Sequence, residues 1–209
     1  MKFSHVVFDI DGTLLDTQEM ILRSLSETLR RFCGLTVPPE KLTFALGIPG
    51  EDALRQLQIN SPAEICEQWN TVAKEYAQSI RVFPEIQETL HWLSDKKVCL
   101  GIITSRTKTE YEKDFVPFGL APIFSIVICA DDAPRHKPYA DPMEAYLRKS
   151  GADRREVLYI GDSCYDMECA GAAGVPCALA LWGCRNPDKI VSDYRFQTPR
   201  DIRNILEED

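Results

Sequence analysis

Five short apolar runs punctuate the chain, at 5–10, 98–103, 124–129, 157–160 and 176–181. They are apolar nearly throughout, as strands are when both of their faces are covered. Helical spacing of apolar positions is read at about 84–95, 108–117, 141–150, 165–173 and 199–207. Strands alternating with helices predict a parallel sheet with helices on both sides. The expected fold class is therefore α/β, a doubly wound parallel sheet.

Between Thr17 and about Arg81 the pattern is purely helical. Met20, Ile21, Leu25, Leu29 and Phe32 recur at helical spacing, with Thr17 placed as N-cap and Cys33-Gly34 as the end. Pro38-Pro39 opens a short piece near 39–46, and further helical patterns cover 51–58 and 62–79. Residues 17–82 thus read as a small inserted α-helical unit, and residues 1–16 with 83–209 as the core. Such a unit either closes over the core as a lid or only adds a stabilising subdomain. Its place next to the first apolar run favours the lid.

The first run leads into Asp9-Ile10-Asp11-Gly12-Thr13. Alternate residues of a strand share a face, so two carboxylates one residue apart start out side by side. They repel unless a cation or a reacting group lies between them. Ligands of parallel sheets bind just beyond the carboxyl ends of strands, so the pair reads as a metal and phosphoryl site. Taken alone, the five residues also fit an exposed Asp-x-Asp-Gly turn. Three later segments bear on the choice. The run 98–103 closes on Thr104-Ser105-Arg106, Arg135-His136-Lys137-Pro138 supplies a lysine, and 157–160 runs into Gly161-Asp162-Ser163-Cys164-Tyr165-Asp166.

Asp-x-Asp, then Thr, then Lys, then Gly-Asp-x-x-x-Asp is an order that resembles the haloacid dehalogenase-like (HAD) hydrolase superfamily, in its phosphoglycolate phosphatase-like branch with a helical cap. The resemblance spans Met1 to about Thr17 and about Phe83 to the C-terminus. It implies a Rossmann-like core, with Asp9 as nucleophile and Asp11 as the acid and base. Thr104 and Lys137 would hold the transferring phosphoryl group. Mg²⁺ would be bound by the Asp9 side chain, the Asp11 backbone carbonyl and the Asp162 side chain, with Asp166 behind them. Gly12 is expected to contribute backbone N–H groups to substrate, with Ser105, Arg106 and the cap residues Gly47 and Gly50 as further contacts. Many cap-bearing relatives carry asparagine where Ser105 stands, which leaves the contacts near Arg106 open. Arg135 and His136 could meet the leaving group or remain solvated loop residues.

The implied function is Mg²⁺-dependent hydrolysis of a small phosphorylated metabolite, a phosphoglycolate-like phosphomonoester, through an aspartyl-phosphate. The dehalogenases of the superfamily lack an acid at the position of Asp11. Mutases resembling β-phosphoglucomutase carry a basic residue in the cap loop, where Gly50 stands. A mutase, a pyrophosphatase and a non-catalytic binding protein are the alternatives.

Composition narrows the partners. A formal net charge of −8 argues against nucleic acid or an anionic membrane. It does not argue against an anionic substrate, because a bound cation reverses the local field. No apolar run approaches the roughly 18 residues of a membrane span. The N-terminal stretch, broken by Asp9 and Asp11, is expected not to act as a secretory signal. The eight cysteines form no C-x-x-C pair, and free thiols are expected in a reducing cytoplasm. The expected protein is a cytoplasmic monomer or homodimer.

Overall fold

The computed structural model describes residues 2–207. The chain begins with β1 (His5–Phe8) and the two-residue β2 (Leu15–Asp16), followed by α1 (Gln18–Phe32), α2 (Gly50–Gln56) and α3 (Pro62–Ala73). It returns through β3 (Arg81–Val82) to α4 (Ile86–Asp95), β4 (Cys99–Ile103) and the short α5 (Lys108–Glu110). Then come β5 (Ile126–Ile128), α6 (Asp141–Ser150), β6 (Val157–Gly161) and α7 (Cys164–Ala172). The chain closes with β7 (Cys177–Ala180), β8 (Tyr194–Phe196) and α8 (Asp201–Glu207).

Six strands form one parallel sheet in the order β5-β4-β1-β6-β7-β8. From β1 the chain builds outward to β4 and β5, then crosses back to add β6, β7 and β8. The order therefore reverses around β1, and the crevice at the carboxyl ends of β4, β1 and β6 is where such sheets bind ligands. Alternation within the strands supplies two cores. Val6, Phe8, Leu100, Ile102, Leu158 and Ile160 face one layer of helices. Val7, Ile103, Tyr159, Cys177 and Leu179 face the other.

The inserted helices have a third core of their own. Leu22, Leu25 and Leu29 of α1 pack with Ala53 and Leu54 of α2 and Trp69 of α3. Trp69 Nε1 donates to Ser24 Oγ at 2.8 Å, which pins α3 to α1. The chain leaves the core and returns to it through an antiparallel pair, Leu15 opposite Val82 and Asp16 opposite Arg81.

Several boundaries differ from the sequence reading. The first strand ends at Phe8 rather than Ile10, because Thr13, Leu14 and Leu15 turn back to donate to the Ile10 carbonyl. Residues 108–117 begin as α5 and then loosen into a π-turn at Tyr111–Phe115. Thr17 does stand at the N-cap of α1, though without a side-chain capping bond.

Candidate active site

Asp9 sits one residue past β1, and its N–H still donates along the sheet to the Ile160 carbonyl at 2.9 Å. Thr104 follows β4, Asp162 follows β6, and Asp166 lies in the first turn of α7. Lys137 reaches the same crevice from the loop between β5 and α6. The fold thus gathers four of the sequence motifs at one end of three adjacent strands.

Lys137 is the hub. Its buried Nζ donates to Asp9 Oδ1 at 2.8 Å, Asp166 Oδ1 at 2.7 Å and the Tyr159 hydroxyl at 3.3 Å. Tyr159 in turn donates to Asp166 Oδ1 at 2.9 Å. The other Asp166 oxygen accepts from the Ser163 N–H at 3.0 Å and the Ser163 hydroxyl at 2.5 Å, and the Asp166 N–H donates back to Ser163 Oγ at 3.3 Å, which completes the capping box that starts α7. Asp166 is therefore saturated by protein donors, and its part is to orient Lys137.

Oxygen atoms of Asp9, Asp162 and Asp166 lie within 4.8 Å of one another, all buried. Three carboxylates against one ammonium leave surplus negative charge out of water. Burial, offset by Lys137 and reinforced by the Asp166 and Asp11 charges, pushes Asp9 up to about 7. Burial and the charges of Asp166 and Asp9 raise Asp162 well above its ordinary value. Lys137 goes the opposite way, since Asp166 and Asp9 outweigh the effect of its burial and hold it charged. An oxygen-only donor set with excess negative charge fits a hard divalent cation such as Mg²⁺. Asp9 and Asp162 are the side chains with capacity to bind it.

Gly12, at φ +82°, is required twice over: the left-handed turn favours glycine, and a Cβ there would stand 2.2 Å from Asp162 Oδ2. Its N–H donates to the Leu15 carbonyl at 2.8 Å. The expectation that this N–H faces substrate is therefore not met, because the tight turn after β1 consumes it.

Asp11 departs from the sequence picture as well. Its carboxylate forms a two-pronged ion pair with Arg106, both bonds 2.7 Å long, instead of lying beside Asp9 as a matched partner. Burial alone would raise its pKa, but the Arg106 charge and hydrogen bonds win and hold it below the usual value. Arg106 also lies 3.7 Å from Asp114. Asp11 is thus ionised, the state of a base. Acting as an acid requires it to leave Arg106. Thr104 Oγ1 accepts the Arg106 N–H at 3.2 Å, which leaves the hydroxyl proton available to a phosphoryl oxygen.

The cap closes over this floor. The Ser105 hydroxyl donates to the Gly47 carbonyl at 2.9 Å, so its contact is with the cap loop. Gly47 also abuts Ser163, and Gly50 lets α2 approach Cys66 and Trp69 of α3. A cavity of about 320 Å³ remains between cap and core, with Asp9, Asp11, Gly47, Gly50, Ser105 and Arg106 among its walls. Arg135 and His136 do not line it; Arg135 pairs with Asp141 at 2.8 Å on the surface.

The family profile of haloacid dehalogenase-like hydrolases matches residues 6–180, most of the chain. The chain belongs to that family. Among HAD relatives, pyrophosphatase PpaX of Oceanobacillus iheyensis is 24% identical over 99% of this chain and 96% of its own. Phosphoglycolate phosphatase of Yersinia pseudotuberculosis is 29% identical, covering 90% and 85% respectively. A solved structure of a candidate phosphoglycolate phosphatase from Lactobacillus plantarum superposes with a TM-score of 0.89 at 30% identity, covering 98% of this chain and all of that one. The family resemblance and the α/β core expected from the sequence are both borne out.

Two HAD site features escaped the sequence reading. Tyr159 looked like one more apolar strand residue, and only its hydroxyl within an otherwise aliphatic run could have marked it. The acidic residues Glu110 and Asp114 sit in the cavity wall because the helix after β4 loosens into a π-turn, which periodicity does not show.

Proposed function

We propose that the protein is a Mg²⁺-dependent phosphatase that hydrolyses a small phosphomonoester through an aspartyl-phosphate on Asp9. The observation that carries this reading is the placement of Asp9. It is a buried carboxylate held by Lys137, on the floor of the cavity between cap and core, with Asp162 beside it. When bound by Asp9, Asp162 and the Asp11 carbonyl, Mg²⁺ supplies charge that keeps Asp9 ionised and shields it from the incoming phosphate.

The residues then divide the work. The Asp9 carboxylate attacks phosphorus and the ester P–O bond breaks, leaving the phosphoryl group on Asp9. Lys137 and the Thr104 hydroxyl stabilise the charge on the transferring oxygens. The departing alkoxide needs a proton, which Asp11 supplies after it has left Arg106 and taken up a proton from solvent. In the second step water attacks the phosphoryl group, Asp11 takes its proton, and Asp9 is regenerated. The cap tether from Ser105 to Gly47 keeps bulk water out meanwhile. The substrate is a small phosphorylated metabolite, with no part for nucleic acid or membrane, and the eight free thiols favour a reducing compartment.

The test is phosphate release from a panel of phosphomonoesters with Mg²⁺ and with EDTA, for the wild type and for Asp9→Asn. Release that needs the metal and falls on the order of 10⁴-fold or more in the variant is expected, the scale for losing a nucleophile. Equal release by the variant contradicts the mechanism.

A further inference from the structure

The cavity above Asp9 divides by chemistry. Its floor carries the acids and Arg106, whereas the cap side is apolar, built from Ile21, Ile48, Trp69, Ala73 and Ile80 with Phe118 opposite. At about 320 Å³ it has the volume of roughly ten waters at ~30 Å³ each. That is more room than a two-carbon phosphoester or inorganic pyrophosphate fills.

The charges around the cavity point the same way. A second anionic group on the substrate needs a cation that is both inside the cavity and unpaired. Arg106 is inside, but Asp11 occupies its fork in the resting site, and when Asp11 leaves to act as acid the Asp114 carboxylate, 3.7 Å away, still balances it. Lys74 and Lys113 line the mouth and are exposed to water. Glu110 adds a further negative group, held by Asn70 at 3.1 Å and by the Thr107 N–H at 2.8 Å. Three cations thus face the three carboxylates of Asp11, Glu110 and Asp114, before Asp9 is considered. Burying an unpaired anion against apolar walls is costly, whereas an apolar group there gains from leaving water.

We infer that the leaving group is a neutral alcohol bearing an apolar part about the size of one ring or a short branched chain. This inference rests on the phosphatase reading and names its substrate class. Pyrophosphate and phosphoglycolate are then poor substrates, because each presents a second anion to a cavity with no free buried cation. Ile48 and Trp69 are assigned as specificity-determining residues, touching the alcohol rather than the phosphoryl group.

The experiment compares kcat/KM for benzyl phosphate, phosphoglycolate and pyrophosphate on the full chain with Mg²⁺. Benzyl alcohol and glycolate are leaving groups of similar basicity, so their ratio reports the pocket. A preference for benzyl phosphate of roughly tenfold or more is expected, the scale of filling or emptying one hydrophobic subsite. In Ile48→Asn that preference should shrink through a higher KM for benzyl phosphate, with circular dichroism used to check the fold. Phosphoglycolate or pyrophosphate turned over as well as benzyl phosphate, or better, overturns the inference while leaving a phosphatase. No metal-dependent release from any phosphate ester removes the phosphatase reading, and the inference falls with it.

Discussion

Lys137 shows what single residues contribute. An ammonium with three protein acceptors and almost no exposure carries the charge balance of Asp9 and Asp166. Taking one partner from a buried ion cluster strands the others. Lys137→Met should therefore cost about 3–5 kcal/mol in urea unfolding of the metal-free protein. Adding Asp166→Asn to that variant should recover part of the loss, because one stranded charge disappears. A loss within experimental error would mean that solvent reaches these carboxylates. The sequence marked Lys137, Asp9 and Asp166 by type and order, yet not their partners. The bonds from Lys137 to Tyr159 and from Arg106 to Asp11 join residues 22 and 95 positions apart, and local pattern carries no trace of those.

The elements were legible where periodicity is strong and obscure where it is not. Strands β1, β4, β5, β6 and β7 and helices α1, α4, α6, α7 and α8 follow from apolar spacing, since each presents a continuous face to the cores. β8 leaves no apolar run in the sequence, because Tyr194–Phe196 is an edge strand with Arg195 exposed in its middle. β2 and β3 are two residues each, too short for any period. They matter nonetheless, for they are the crossing points between cap and core. Across from them, the Ser105 hydroxyl bonded to Gly47 ties the cap loop to the strand end. Ser105→Ala removes one such bond, worth about 1 kcal/mol. Faster amide exchange around 47–56 with unchanged exchange in β1 and β6 is the expected result. Uniform acceleration throughout the chain would mean that cap and core open together.

At the scale of the whole molecule, the crowded carboxylates couple stability to pH and to metal. Asp9 is raised to about 7 in the folded state from an unfolded value near ~3.9. Between those values the folded protein binds the extra proton, so stability of the metal-free protein falls as pH rises from about 4 to about 7. Asp162 shifts in the same direction. Mg²⁺ binds the deprotonated form, so its stabilisation should be larger at pH 8 than at pH 5.5, read as the shift in Tm on adding the ion. A shift independent of pH would place the ion elsewhere. The fold itself, a parallel sheet that reverses around β1, put the site where the sequence motifs pointed. The cavity volume and its apolar roof were out of reach of the sequence, since they arise where cap helices meet the core across long stretches of chain. The most direct measurement is chemical trapping during turnover: an acid quench, borohydride reduction and peptide mass spectrometry. Homoserine in place of Asp9, formed from the reduced acyl phosphate and absent in EDTA, is expected. Turnover at full rate with Asp9 unmodified in every quenched sample would contradict the covalent mechanism.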